Sequence, residues 1–168
     1  MATTRIYVSA VVYNTVALTE ALAVGADPTI GTLSLTPSAG QKWLFDGTTG
    51  PAATKSYHAT ITMSSGTATL DLTALPDPET GTNMDLTGLK LKMLHLAAPS
   101  GNANTITVAP GASNGYTGWV GSGGYTLNAS DQRGPSIHNA GIPVDGTHKT
   151  IDITGTGSQQ VTIVALFG

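Results

Sequence analysis

Short runs in which apolar and polar residues alternate, broken every few residues by clusters of Gly, Pro, Asn and Ser, confine this chain to β structure. Ile6, Val8 and Ala10 alternate with Arg5, Tyr7 and Ser9. Tyr57, Ala59, Ile61 and Met63 alternate with His58, Thr60 and Thr62. After Ser64-Ser65-Gly66, Thr67, Thr69 and Asp71 alternate with Ala68, Leu70 and Leu72. A period of two sends one set of side chains to a core and the other to water. Two such runs joined by a short Gly-containing loop predict a β-hairpin over residues 57–72. Leu89 and Leu91 alternate with Lys90 and Lys92, and the run then turns apolar on both faces through Met93, Leu94 and Leu96. That change predicts a strand entering a doubly covered region, between two sheets or under a neighbouring subunit. The run from Gln160 to Phe167 is apolar on both sides and reads as a central strand.

The pattern continues at Ile106 and Val108, at Tyr125 and Leu127, and at Ile151 and Ile153. Turn clusters lie between these runs, including Pro99-Ser-Gly-Asn, Gly121-Ser-Gly-Gly and Gly155-Thr-Gly-Ser. Pro presets φ and Gly permits positive φ, so such clusters end strands. Thr outnumbers even the 21 glycines, as expected for many strands with one wet face, where a branched Cβ and a hydroxyl both fit. Roughly eight to ten short strands with Gly/Pro turns predict an all-β fold, a single antiparallel β-sandwich of jelly-roll-like kind over residues 1–168. Residues 1–6 read as an extended arm, and 110–148 as a long Gly-rich surface loop. Val16 to Val24 is ambiguous: Asn14 or Thr15 could cap a short helix ended by Gly25, while β-branched Val at both ends also suits a strand, and a helix or irregular turn is the expectation.

Composition excludes several classes of function. Lys and Arg total 7 against 10 Asp and Glu, a net charge of -3. Nucleic-acid binding needs clustered cations that release phosphate counterions. Lys90 and Lys92 are the one close pair, and they occupy alternate positions of one strand, so no nucleic-acid partner is expected. The absence of cysteine removes disulfides, thiolate metal sites and thiol catalysis. No apolar run approaches the roughly 18 residues of a membrane span; Val16 to Val24 is interrupted by Thr19 and Glu20. The amino terminus shows no basic stretch before an apolar core, so folding in the cytosol of the producing cell is expected.

The chemistry-bearing residues form no recognisable machinery. His58, His95, His138 and His148 lack the close spacing of a metal-binding helix or hairpin and read as strand-face or loop residues. Asp77-Pro-Glu-Thr-Gly-Thr-Asn-Met-Asp85 is oxygen-rich, but its spacing matches no EF-hand, and the same residues make a plain turn; no metal or cofactor is expected. Carboxylate pairs for glycoside hydrolysis exist in any chain of this length, and Trp43 and Trp119 are the sole tryptophans available as sugar platforms. Tyr116, Trp119 and Tyr125 gather in a Gly-rich stretch. They read as an aromatic patch for a sugar or protein partner, or as a cap on the open end of the core. The plainer reading, the cap, weighs more.

Three stretches carry a family resemblance. They are Leu70-Asp-Leu-Thr-Ala-Leu-Pro-Asp-Pro-Glu-Thr-Gly-Thr-Asn-Met-Asp-Leu-Thr-Gly-Leu-Lys-Leu-Lys, Asn102-Ala-Asn-Thr-Ile-Thr-Val-Ala-Pro-Gly-Ala-Ser-Asn-Gly-Tyr, and Lys149-Thr-Ile-Asp-Ile-Thr-Gly-Thr-Gly-Ser-Gln-Gln-Val-Thr-Ile. Together they resemble small structural proteins of tailed bacteriophages. The likeness spans residues 57–168 and consists of turns, not chemical signatures, so it brings no catalytic residue with it. It implies a non-enzymatic β-sandwich subunit of a virion, made in the host cytoplasm: a head-decoration (cement) protein, or a tail or neck part. The implied partners are the major capsid protein or other virion proteins, with self-association most simply as a trimer. The contacts to test are the arm, with Arg5 and Tyr7, and the aromatic loop, with Tyr116, Trp119 and Tyr125. The rival reading is a carbohydrate- or receptor-binding tail module using that same loop.

Overall fold

A computed structural model describes residues 10–14, 18–22, 31–35, 41–45, 53–77 and 81–168. The alternating run at 5–9, the arm at 1–6, and with them Arg5 and Tyr7, lie outside the described residues. The chain divides into two compact units, one of Ala10–Leu44 and one that holds Phe45–Gly168. The first carries β1 (Ala10–Asn14), β2 (Leu18–Leu22), β3 (Gly31–Leu35) and all but the last residue of β4 (Gln41–Phe45), with β1 beside β4 and β2 beside β3. The helix expected within 16–24 is therefore a strand, paired antiparallel from Leu18↔Leu35 to Leu22↔Gly31. A helix of this length closes few hydrogen bonds against its nucleation cost, whereas β3 offers partners from Leu18 to Leu22.

The second unit holds β5 (Lys55–Thr62), β6 (Thr67–Asp71), β7 (Lys90–Ala97), β8 (Ile106–Pro110), the short helix α1 (Thr117–Val120), β9 (Tyr125–Leu127), β10 (Gln132–Pro143), β11 (Thr150–Thr154) and β12 (Gln160–Phe167). They form two four-stranded antiparallel sheets, ordered β10-β7-β12-β5 and β6-β11-β8-β9. The sheets pack face to face as a β-sandwich. One lines the core with Tyr57, Leu91, Leu96, Ile163 and Phe167, the other with Leu70, Ile106, Val108, Ile151 and Ile153, all buried in one cluster. Each such side chain stabilises the fold by about 1.5–3 kcal/mol relative to exposure.

The pairing is nested: β5 with β12, β6 with β11, β7 with β10, and β8 with β9. The expected hairpin at 57–72 is thereby corrected. Ser64 and Thr67 exchange backbone hydrogen bonds at 3.0 Å across a tight turn, but beyond that turn β5 and β6 belong to opposite sheets. Each run has its own apolar face, and both faces seek the same core, so they stack across it and do not pair side by side.

β12 lies between β7 and β5, the central position its apolar pattern predicts. On the face of that sheet away from the main cluster, Met93 and Leu166 are cross-strand partners and both are buried. The stretch 110–148, expected to be a long loop, instead carries α1, β9 and the twelve-residue β10. Gly134, Pro135, Gly141 and Pro143 disguise β10. It is an edge strand, so a missing N–H is harmless on its open side, and its register shifts between Arg133 and Ser136 and between Ile137 and Ile142. Lys92 bridges the second irregularity; its Nζ donates to the carbonyls of Asn139 and Ala140 at 3.3 and 3.2 Å. Among the described residues no helix is long and apolar enough to cross a membrane.

Candidate functional site

β9 and β10 are the end strands of their sheets among the described residues, their side chains meet along one side of the sandwich, and two of the aromatic residues singled out in the sequence, Trp119 and Tyr125, lie there. Tyr125 on β9 is half-buried against the core, and the Arg133 guanidinium of β10 sits 4.9 Å from its ring centroid. Such a cation over a ring contributes about 0.5–1 kcal/mol where water has access. Burial pushes the Tyr125 phenol up to about 12, with the nearby Arg133 charge opposing the rise. Removing that charge by Arg133→Ala is expected to move Tyr125 ionisation higher still, measured by ultraviolet difference titration of the folded protein. Trp119 on α1 is half-buried on the same core and meets His138 of β10 edge-on, centroids 6.4 Å apart at 78°.

Tyr116 does not join this surface. It is 1% exposed, and its hydroxyl donates to the Ile142 carbonyl at 3.2 Å. The structure places the residue as a core anchor between α1 and β10, away from the rim on which it was expected, and burial raises its ionisation. Trp119 and Tyr125 remain on the rim. Arg133 and His138, which complete the rim, were not legible as site residues. They lie several positions further along the chain, and only the return of β10 past β9 brings them to the aromatics.

Among the described residues, Asp71, Asp131 and Asp152 are occupied by turns and strand pairs. Asp71 Oδ2 accepts from Lys149 Nζ at 2.7 Å, and its Oδ1 accepts from the Thr73 N–H at 2.9 Å. Partial burial pushes the Asp71 carboxyl up, but hydrogen bonds from Lys149 and Thr73 outweigh it and hold the group below the usual range. A depressed folded pKa means stability that is present above the unfolded value, about 3.9, and lost as pH falls through the folded one. Asp71 is partly exposed, so solvent screening limits the effect to about 1 kcal/mol. Urea midpoints are expected to fall below about pH 4 in the wild type, and less steeply in Asp71→Asn. Asp152 accepts from Thr69 Oγ1 at 2.7 Å and from the Ala112 N–H at 3.0 Å, and Asp131 accepts from the Asn128 N–H at 2.8 Å.

In the acidic loop, Asp77 N–H donates to the Thr82 carbonyl, Gly81 N–H donates to the Asp77 carbonyl, and Asp85 accepts from Thr87 N–H, the bonds of a turn. Glu79 lies outside the described residues. His58 and His138 are exposed on β5 and β10, His95 is half-buried on β7, and His148 lies in the loop after β10. Among the described residues no group of three His, Asp or Glu side chains could hold a metal ion.

Two buried amides tie the loop after β7 to the turn before β12. Asn102 Nδ2 donates to the Gln160 carbonyl and Asn102 Oδ1 accepts from the Gln160 N–H, each at 2.8 Å. Gln159 Oε1 accepts from Thr156 N–H at 2.7 Å, and Gln159 Nε2 donates to the Asn104 carbonyl. Each amide uses both a donor and an acceptor, which is what makes its burial tolerable. The cleft of about 280 Å³ beside them is thus walled by groups that satisfy one another.

In comparisons with known proteins, no family model, no curated protein and no solved structure matches the chain.

Proposed function

We propose that this protein is a non-enzymatic structural subunit of a virion, a decoration or cement protein on the outside of a phage head, with its sandwich wound as a jelly roll. The strand order is the observation that supports the reading. Numbered from β5 to β12, first pairs with eighth, second with seventh, third with sixth and fourth with fifth, and the strands fall into sheets 6-3-8-1 and 2-7-4-5. Such an order is what a long antiparallel ribbon folded over on itself would give, and it supports the two-Greek-key reading, an arrangement found in viral capsid and lectin domains. Fold alone does not specify function. The sequence resemblance to tailed-phage structural proteins and the use of carboxylates in turns favour the virion reading.

On this reading the protein works by presenting surface: contacts between copies, most simply in a trimer, and contacts to the major capsid protein. Binding of the purified chain to undecorated phage heads, with quantitative mass spectrometry giving hundreds of copies per particle, is the expected result. A few copies per particle, or no binding, would remove the cement assignment. The second reading, a glycan- or receptor-binding tail module, is favoured by the rim where Trp119 meets His138 and Tyr125 meets Arg133. Glycan-array binding lost in Trp119→Ala would select it.

A further inference from the structure

A recess of about 300 Å³ opens between α1 and the end of β10, on ground that the aromatic rim does not use. Its walls are mainly apolar, with Ile142, Pro143 and the edge of the buried Tyr116 ring beside Thr117 and the bare backbone of Gly118. Gly118 is required there, because a Cβ would stand 2.5 Å from Ile142 Cγ2. Asp145 and His148 stand at the mouth, with side chains 52% and 60% exposed.

The Asp145 carboxylate is fixed by its own turn. Oδ1 accepts from the Thr147 N–H at 2.8 Å, the Thr147 hydroxyl at 2.8 Å and the His148 N–H at 2.9 Å. His148 Nδ1 lies 3.2 Å from Oδ1 and 3.3 Å from Oδ2, which leaves Oδ2 with no other partner among the described residues. The bonds from the Thr147 N–H and hydroxyl, followed by those from His148, hold the carboxyl down at about 2, so it is anionic at any ordinary pH. No Lys or Arg pairs with it among the described residues.

We propose that this recess takes an arginine side chain from a partner protein, its methylene stem against Ile142 and Pro143 and its guanidinium on Asp145 Oδ2. A stem with three methylenes suits an apolar slot of this size, and a planar cation donating to a pre-set carboxylate suits its mouth. A carboxylate held by three donors needs no reordering to receive it, and preorganisation of this kind lowers the entropic cost of binding. The inference is independent of the virion reading, since it concerns only what the recess accepts.

The test is an amide-resolved NMR titration of the full chain with Nα-acetyl-arginine methylamide, run beside its uncharged isostere acetyl-citrulline methylamide and the lysine analogue. Saturating shifts at Gly118, Ile142 and His148, with citrulline at least about threefold weaker, are expected, in line with an exposed charge pair. Asp145→Asn keeps an oxygen for the turn and is expected to abolish the difference between arginine and citrulline. Equal binding of the two in the wild type, shifts elsewhere, or no saturation would overturn the proposal; tighter binding of lysine would overturn the choice of guanidinium.

Discussion

Replacing Phe167 with alanine is expected to destabilise the protein by about 3–5 kcal/mol, the range for emptying a fully buried aromatic site. The ring is 0% exposed within the main cluster. Its strand, β12, is hydrogen-bonded on both sides, with Phe167 opposite Lys55 on β5 and Leu91 on β7. The hole cannot relax by a shift of the strand, because the Thr54 N–H also donates to the Phe167 carbonyl at 2.7 Å, and Gly168 exchanges backbone bonds with Lys90 at 3.0 and 3.1 Å. For a chain of this size the loss corresponds to a Tm lower by roughly 10 °C. Val164→Ala on the same strand, a half-buried position outside the cluster, is expected to cost about 1 kcal/mol or less. Thermal unfolding followed by circular dichroism separates the two; equal shifts would mean that β12 does not organise the core.

The same strand bears on folding rate. β12 must find β5, about a hundred positions earlier in sequence, before the first sheet is complete, and closing a loop of that length precedes the reward from those contacts. Native pairing of this kind puts the chain among slow-folding all-β domains.

The sequence carries the period of two at β5, β6, β11 and the start of β7, and there the inward residues could be read directly; β12, apolar on both sides, revealed its central place but not which side chains face the core. Partner choice is another matter. Which strand lies beside which is decided by the core that both sheets share, and the alternation at 57–72 is equally compatible with a hairpin and with a crossing between sheets. β10 is hidden for a different reason: its Gly and Pro residues are breakers in a central strand but tolerable on an edge. The aromatic stretch was legible as a cluster and not as a surface. Tyr116 and Trp119 are three residues apart, yet one lies in the core and the other on the rim, because Tyr116 precedes α1 in extended backbone and helical spacing does not govern it. The recess at Asp145 carries no local signal, since its walls come from α1 and from the far end of β10.

Gly66→Ala is expected to cost about 2–4 kcal/mol, from two causes that can be measured apart. Gly66 has φ of +80°, a region where a side chain costs about 1–2 kcal/mol. A Cβ there would also stand 2.6 Å from the Gly155 carbonyl oxygen, a backbone atom that cannot step aside, since Gly155 N–H donates to Gly66 O at 2.8 Å and Gly66 N–H donates to Gly157 O at 2.7 Å. Those bonds lash the β5–β6 turn, where the chain passes from one sheet to the other, to the turn that carries it back from β11 to β12. Gly157→Ala isolates the first cause, because its φ is +62° and nothing lies within 4 Å of its Cβ position. Gly101→Ala carries neither cause and is expected to stay within about 0.5 kcal/mol of the wild type. Urea midpoints for the three variants should therefore rank Gly101→Ala, then Gly157→Ala, then Gly66→Ala in order of loss. If Gly66→Ala costs no more than Gly157→Ala, the close backbone approach does not hold the two sheet crossings together, and the lock between the turns is absent.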